Sequence, residues 1–244
     1  MDALDSGQVR VCSYENGAWI VHEDVKRAIL LYFKESSCQE LGAGAYDKVP
    51  SKFASWSEER FREAGLRVAP QAFVRHGSFL GRDVVLMPGC FINVGAFVGE
   101  KTMVDSLVTV GSCAQIGRGC HIGSGATLGG VLEPVAARPV ILEDRVFVGA
   151  NVVVAEGVVV REGAILATGV RLTASTWIID RATGRRWKGE IPAGAVVVPG
   201  TYADSRVPGL SIQCAVVDRI QTDAKPVINE VLRSAPEGTA SEER

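Results

Sequence analysis

The chain has 244 residues, 47% of them hydrophobic, and a formal net charge of -2. That is ample apolar material for one large domain, and the scattered Lys and Arg give no electrostatic case for nucleic acid. No apolar run is long enough to span a bilayer, and Met1-Asp2-Ala3-Leu4-Asp5 has neither the basic start nor the apolar stretch of a secretion signal.

The first elements are small. Asn16-Gly17 predicts a hairpin turn between Gln8–Ser13 and Ala18–Val21. Val25, Ala28, Ile29, Tyr32 and Phe33 predict a helix over 23–33, and residues 35–54 read as irregular. Ser55 or Ser57 is the expected cap of a short helix through Glu58, Phe61 and Glu63 that ends at Gly65.

From Val68 to Leu128 a bulky aliphatic residue then returns every sixth position, as at Val98, Val104, Val110, Ile116 and Ile122, and the series resumes from Leu142 to Leu172. Four residues after each anchor stands a small or β-branched side chain, such as Ala96, Val108, Ala114 and Ala126. A helix repeats at 3.6 residues and a flat strand at 2, so a period of six fits neither alone. It fits a parallel β-helix, each unit one side of a prism. Seventeen anchors at three per coil predict about six coils, each rising roughly 4.8 Å. Gly77, Gly95, Gly111, Gly117, Gly123, Gly149 and Gly169 are expected at corners that need unusual φ. Val110→Asp or Ile116→Asp would bury an unpaired charge and be ruinous.

The period breaks once, because Leu128 to Leu142 is 14 residues, one repeat plus eight. The two prolines and two glycines within 129–141 predict a loop leaving the prism wall, where function concentrates. A second hairpin is expected over 177–190 around Ala182-Thr183-Gly184, followed by a last anchor pair at Ile191 and Val197. A strand over 210–221, a short helix over 226–234 and a disordered polar tail complete the chain. The expected units are an α/β cap over 1–66, the prism over 67–200 and a C-terminal segment over 201–244.

Cys12, Cys38, Cys90, Cys113, Cys120 and Cys214 form no C-x-x-C and no paired framework, which with the absent signal predicts the cytoplasm. Cys90 and Cys120 take small core positions, and Cys113 has no evident base, so all three read as structural. His22, His76 and His121 are too scattered for a metal cluster, and His76 and His121 read as surface or subunit-contact residues. Asp105 follows an anchor, so it faces outward at a corner, where a turn Asp commonly bonds local backbone.

The hexapeptide units resemble those of the left-handed β-helix acyltransferases. More closely, Gly-Glu-Lys-Thr-Met-Val-Asp-Ser-Leu-Val-Thr-Val-Gly-Ser-Cys-Ala-Gln-Ile-Gly at 99–117 and Leu-Gly-Gly-Val-Leu-Glu-Pro at 128–134 resemble the tetrahydrodipicolinate N-succinyltransferase family. Tyr46-Asp47-Lys48-Val49-Pro50, Asp180-Arg181-Ala182-Thr183-Gly184, Ile191-Pro192-Ala193-Gly194 and Ile228-Asn229-Glu230-Val231-Leu232-Arg233 extend the likeness over about residues 5 to 234. The resemblance implies a mainly β, left-handed parallel β-helix with a small α/β cap, a homotrimer with sites between neighbouring prisms, and an acyl-CoA donor. It implies acyl transfer to the amine of a ring-opened dicarboxylate, and the residues themselves show no metal constellation and no case for a membrane or nucleic-acid partner.

Carried over position by position, the family's acidic residue falls on Asp105, which would bind the substrate amine and orient or deprotonate it. Its substrate-binding arginine falls on Arg67, a clamp for one carboxylate. Where the family reads Gly-Ala-Arg-Ser-Glu-Val-Val-Glu-Gly, this chain reads Gly149-Ala150-Asn151-Val152-Val153-Val154-Ala155-Glu156-Gly157. An enclosed succinyl carboxylate needs donors or a cation and an acetyl group needs neither, so the loss of polar residues at 151–153 predicts acetyl-CoA over succinyl-CoA. Asn151 becomes a donor-contact candidate, Glu156 a substitute base, and Glu133 in the loop a substrate contact. Arg185, Arg186 and Lys188 on the second hairpin are candidates for the coenzyme A phosphates. The alternatives are the same chemistry in antimetabolite (tabtoxin-type) biosynthesis, or a catalytically degenerate trimeric assembly module.

Overall fold

The computed structural model describes residues 1–42 and 44–221, so the helix expected over 226–234 and the polar tail lie outside the described residues. Residues 67–198 wind into a three-sided parallel β-helix whose faces are sheets of ten, six and six strands. The first face starts at Arg67–Val68, the second at Phe73–Val74 and the third at Phe79–Leu80.

Register follows the period. Val98 pairs with Leu80 below and Ile116 above, 18 residues away on either side. Ile116 next pairs with Leu142, a step of 26, so the eight extra residues leave the wall without disturbing the stack. Val160 pairs with Ile191, a step of 31, which places the second hairpin outside the stack as 13 inserted residues. Its strands Ile178–Asp180 and Arg186–Trp187 extend the first face.

The anchors and the small residues four positions on fill one continuous core. Val98, Val104, Val110, Ile116, Ile122 and Leu128 are all 0% exposed, and each such side chain stabilises the fold by about 1.5–3 kcal/mol. Corners take a left-handed residue three positions after the anchor, among them Leu107 and Asn151. Gly77, Gly95 and Gly169 do hold positive φ, but Gly111, Gly117, Gly123 and Gly149 do not. Those four follow the anchor directly, and what they need is room. A Cβ on Gly111 would meet the Gly130 nitrogen at 2.1 Å.

The N-terminal segment covers the third face. The strands Cys12–Glu15 and Ala18–Val21 form the first hairpin, four residues later in its start than expected, and the helix Glu23–Glu35 follows. Residues 35–54 are not wholly irregular, since Gln39–Gly42 pairs with Ala45–Asp47. The Ser57 hydroxyl caps the helix Glu58–Ala64 by accepting from the Arg60 amide, and Gly65 ends it at φ 67. Leu4, Val11, Cys12, Ile29, Val94 and Cys113 make a second core between this segment and the prism. At the other end Ala195–Ala203, which runs across residue 200, pairs with Ser211–Ile220 and closes the top of the first face. Among the described residues no helix is long and apolar enough to cross a membrane.

Candidate active site

Asp105 stands where the first face turns into the second. Its amide donates to the Ile122 carbonyl at 2.9 Å, and its Oδ1 accepts from the Ser106 amide at 2.7 Å. That local bond is the turn role expected of a corner Asp. It uses one oxygen only. Among the described residues Oδ2 has no partner, and the side chain is half-exposed. The result is a carboxylate fixed in orientation with one lobe open. One coil above, the Ser124 hydroxyl donates to the Ser106 carbonyl at 2.9 Å. Asn151 lies a coil higher on the same edge, its amide bonded to the Ser124 carbonyl at 2.9 Å. Two coil rises put Asp105 and Asn151 about 10 Å apart along the axis.

The second face runs from this edge to the next. Val153 is half-buried on it, between Thr127 and Arg171 in register. Arg171 is exposed and escaped the sequence reading, although on this face the same position is otherwise held by Phe73, Phe91, Thr109, Thr127 and Val153. It sets a cation directly beside the position where the family's glutamate is replaced.

At the far edge of this face the 129–140 loop bonds to the coils below and above it. The Val131 amide donates to the Ser112 carbonyl at 3.0 Å, and Arg138 Nε to the Gly157 carbonyl at 3.0 Å. Loop and coil enclose a cleft of about 460 Å³ lined by Glu133, Arg138 and Glu156. Glu156 Oε2 accepts from the Ala174 amide at 3.1 Å. Glu133 and Glu156 therefore line one cleft, and Asp105 is not among its lining residues.

Lys26 holds the loop from below and was also missed. It is 0% exposed, and its Nζ donates to the Ala137 carbonyl at 2.7 Å and lies 3.5 Å from that of Pro134. Burial lowers its pKa, partly opposed by neighbouring Cys113 and Cys12. The thiols respond in the opposite sense: burial pushes Cys113 up to about 12 and Cys12 up to about 11.

Arg67 is exposed at the foot of the first face, paired with Val85 two coils below the Asp105 turn. Arg185, Arg186 and Lys188 are at the opposite end, each beside an aromatic ring: Trp187 at 5.8 Å, Tyr202 at 5.3 Å and Trp177 at 4.3 Å. None of the three forms a salt bridge among the described residues, although Arg185 is near enough to Asp180 to help hold that carboxyl below its usual range. His121 stacks on Phe147 with centroids 5.1 Å apart, His76 bonds Asp2 at 2.9 Å, and His22 bonds Ser13 at 2.8 Å, so the histidines share no site.

A coiled prism with a projecting loop at one edge and an open carboxylate at another defines a hexapeptide-repeat transferase. Models for the bacterial transferase hexapeptide and for the hexapeptide repeat of succinyl-transferase match residues 95–130 and 139–174. A model for the tetrahydrodipicolinate N-succinyltransferase N-terminal region matches residues 1–34. The 2,3,4,5-tetrahydropyridine-2,6-dicarboxylate N-succinyltransferase of Rhodopseudomonas palustris is 51% identical, over 96% of this chain and 87% of its own. That of Acinetobacter baylyi is 47% identical with the same coverage. A Campylobacter jejuni crystal structure described as a putative 2,3,4,5-tetrahydropyridine-2-carboxylate N-succinyltransferase shares the fold, with a TM-score of 0.57 at 20% identity. The match covers 89% of this chain and 61% of that longer one. The chain belongs to the tetrahydrodipicolinate N-succinyltransferase family, and it is an acyltransferase with the left-handed parallel β-helix of that family.

Proposed function

We propose that the protein transfers the succinyl group of succinyl-CoA to the amine of ring-opened tetrahydrodipicolinate, in a homotrimer whose sites lie along the prism edges. The observation that carries this reading is the Asp105 carboxylate, with Oδ1 held by the Ser106 amide and Oδ2 open. The neutral amine attacks the thioester carbonyl carbon, a C–N bond forms, and the C–S bond breaks to release the coenzyme A thiolate. Asp105 takes the proton the nitrogen must lose, and that proton passes to the departing sulfur. A fixed carboxylate with one free lobe suits this step, because it binds the amine in one orientation and accepts along that line. Arg67 clamps a substrate carboxylate, by bidentate contact. Arg185, Arg186 and Lys188 supply cations for the coenzyme phosphates. The loop cleft with Glu133 and Glu156, and Asn151 on the Asp105 edge, border the path of the donor. Free thiols at Cys12, Cys38, Cys90, Cys113, Cys120 and Cys214 suit a reducing cytoplasm.

Succinyl is preferred over the acetyl group expected from residues 151–153, because the relatives at 51% and 47% identity are both named for succinyl transfer. Arg171, beside Val153, offers the cation that those residues no longer provide. Acetyl-CoA remains the second reading, favoured by the apolar surface of Val153 itself. No observation favours the antimetabolite pathway or the degenerate assembly module over catalysis. A thiol-release assay with the dicarboxylate acceptor tests the proposal. Faster turnover with succinyl-CoA supports it, faster turnover with acetyl-CoA restores the second reading, and no release from either donor overturns both. Sedimentation is expected to give a trimer, and a clean monomer would remove the sites between prisms.

A further inference from the structure

A second cleft, of about 660 Å³, opens on the third face where the N-terminal segment lies against the prism. It is a different surface from the Asp105 edge, which joins the first and second faces. Its size lies within the range of small-molecule sites.

Arg10 is built into its wall. The guanidinium carbon lies 3.6 Å from the Phe97 ring centroid, and Nε donates to Gln115 Oε1 at 3.2 Å. Gln115 is fully buried and fixed in turn, its Nε2 donating to the Cys113 carbonyl at 3.0 Å and the Gly95 carbonyl at 3.2 Å. The two terminal nitrogens of Arg10 donate to nothing among the described residues. Stacking fixes the plane of the fork, the Nε bond fixes its rotation, and the free edge is left for a ligand.

Charge pairing selects the sign of that ligand. The carboxylates lining the cleft are engaged: Glu143 with Arg161 at 2.7 Å, Asp144 with Arg118 at 3.0 Å, Glu162 with Arg145, and Glu100 near Arg118 at 3.9 Å. Arg10 forms no direct ion pair among the described residues, only the more distant Asp144 acting on its charge, and Arg82 donates only to the Glu63 carbonyl, at 3.3 Å. The unsatisfied groups are therefore cationic. The walls are aromatic, with Phe79 stacked on Phe97 at 4.7 Å and Trp19 across from them, its Nε1 tied to Glu143 Oε1 at 3.0 Å.

We propose that this cleft is a second small-molecule site, which takes an organic carboxylate with a planar or apolar body. The carboxylate lies on the free edge of Arg10 with Arg82 beside it, and the body lies on Phe79 and Trp19. The site is separate from acyl transfer and stands whether or not the donor and acceptor proposed above are right.

Phenylacetate is a suitable probe, with neutral phenylacetamide as its control, followed by calorimetry and by the fluorescence of Trp19. Saturable binding of one phenylacetate per chain is expected, weakened about tenfold or more by the amide and by Arg10→Gln. Saturating coenzyme A and Asp105→Asn are expected to leave it unchanged. Arg82 is exposed, so Arg82→Gln keeps the fold and is expected to weaken binding severalfold. With the amide comparison on the unaltered protein, it decides the matter if Arg10→Gln does not fold. Equal binding of acid and amide, no saturable binding, or displacement by coenzyme A would overturn the proposal.

Discussion

Lys26→Met removes the charge that ties the N-terminal segment to the 129–140 loop. Met keeps the apolar stem, so the packing of the helix Glu23–Glu35 is expected to survive. What is lost is the donation from Nζ to the Ala137 carbonyl at 2.7 Å; the 3.5 Å approach to Pro134 adds little. A hydrogen bond from a charged group contributes about 1.5–3 kcal/mol. Removing the buried ammonium also returns its desolvation cost, so global stability is expected to move less than the local order of the loop. That local loss corresponds to roughly 10–150-fold faster opening. Amide hydrogen exchange reads it directly at Val131 and Ala137, whose amides donate to Ser112 at 3.0 Å and Pro134 at 2.9 Å. The prism amide of Thr109, bonded to Ala126 at 2.9 Å, is the internal control. If the loop borders the donor path as proposed, KM for the acyl-CoA is expected to rise more than kcat falls. Unchanged exchange at Val131 and Ala137, or equal acceleration at Thr109, would refute the reasoning.

Three further outcomes are expected. Ile116→Ala, at a site 0% exposed within the coil stack, should cost about 2–5 kcal/mol in urea unfolding; a loss near zero would mean that the coils do not bear on one core. The thiols of Cys12 and Cys90 are raised to about 11 and those of Cys113 and Cys120 to about 12, from 9.0 in the unfolded chain. The folded protein thus holds these protons longer, so their stabilisation is complete below pH 9 and is lost between 9 and 12. Lys26 and Lys52, whose pKa values burial lowers, act in the opposite sense, two protons against the five of these thiols and Cys214. Urea midpoints across that range should fall, and alkylation of the native protein near pH 8 should begin at exposed Cys38; a rising midpoint would contradict the assignment. Arg171→Gln should lower kcat/KM for succinyl-CoA about tenfold more than for acetyl-CoA, and an equal effect on both donors would remove Arg171 from donor selection.

The prism was legible because its anchors recur at a fixed period that the burial of each side chain enforces. Even the interruption after Leu128 could be placed to the residue, since the stack accommodates only whole coils. The Gln39–Gly42 and Ala45–Asp47 strands were not legible: they are short, mostly exposed and carry no apolar alternation. For the candidate site, the corner of Asp105 followed from its place after Val104, but the single-sided engagement of its carboxylate needed coordinates. Lys26 carried a faint signal, a lysine in line with Ile29 and Phe33 on the apolar stripe of its helix. Arg10 carried none, because Phe97 and Gln115 are distant in sequence and only coiling brings them to one face. The glycines after the anchors were misassigned for a similar reason, since crowding by the adjacent coil leaves no mark on local sequence.

Asp105→Asn tests the account most directly. Asparagine retains an Oδ1 that accepts from the Ser106 amide, so the turn and the melting temperature should be preserved. It replaces the open oxygen with an amide that cannot take a proton. The account predicts a fall in kcat of about 10²-fold or more, with the oligomeric state unchanged and the acyl-CoA still bound. Near-normal turnover by a folded Asp105→Asn protein would contradict it.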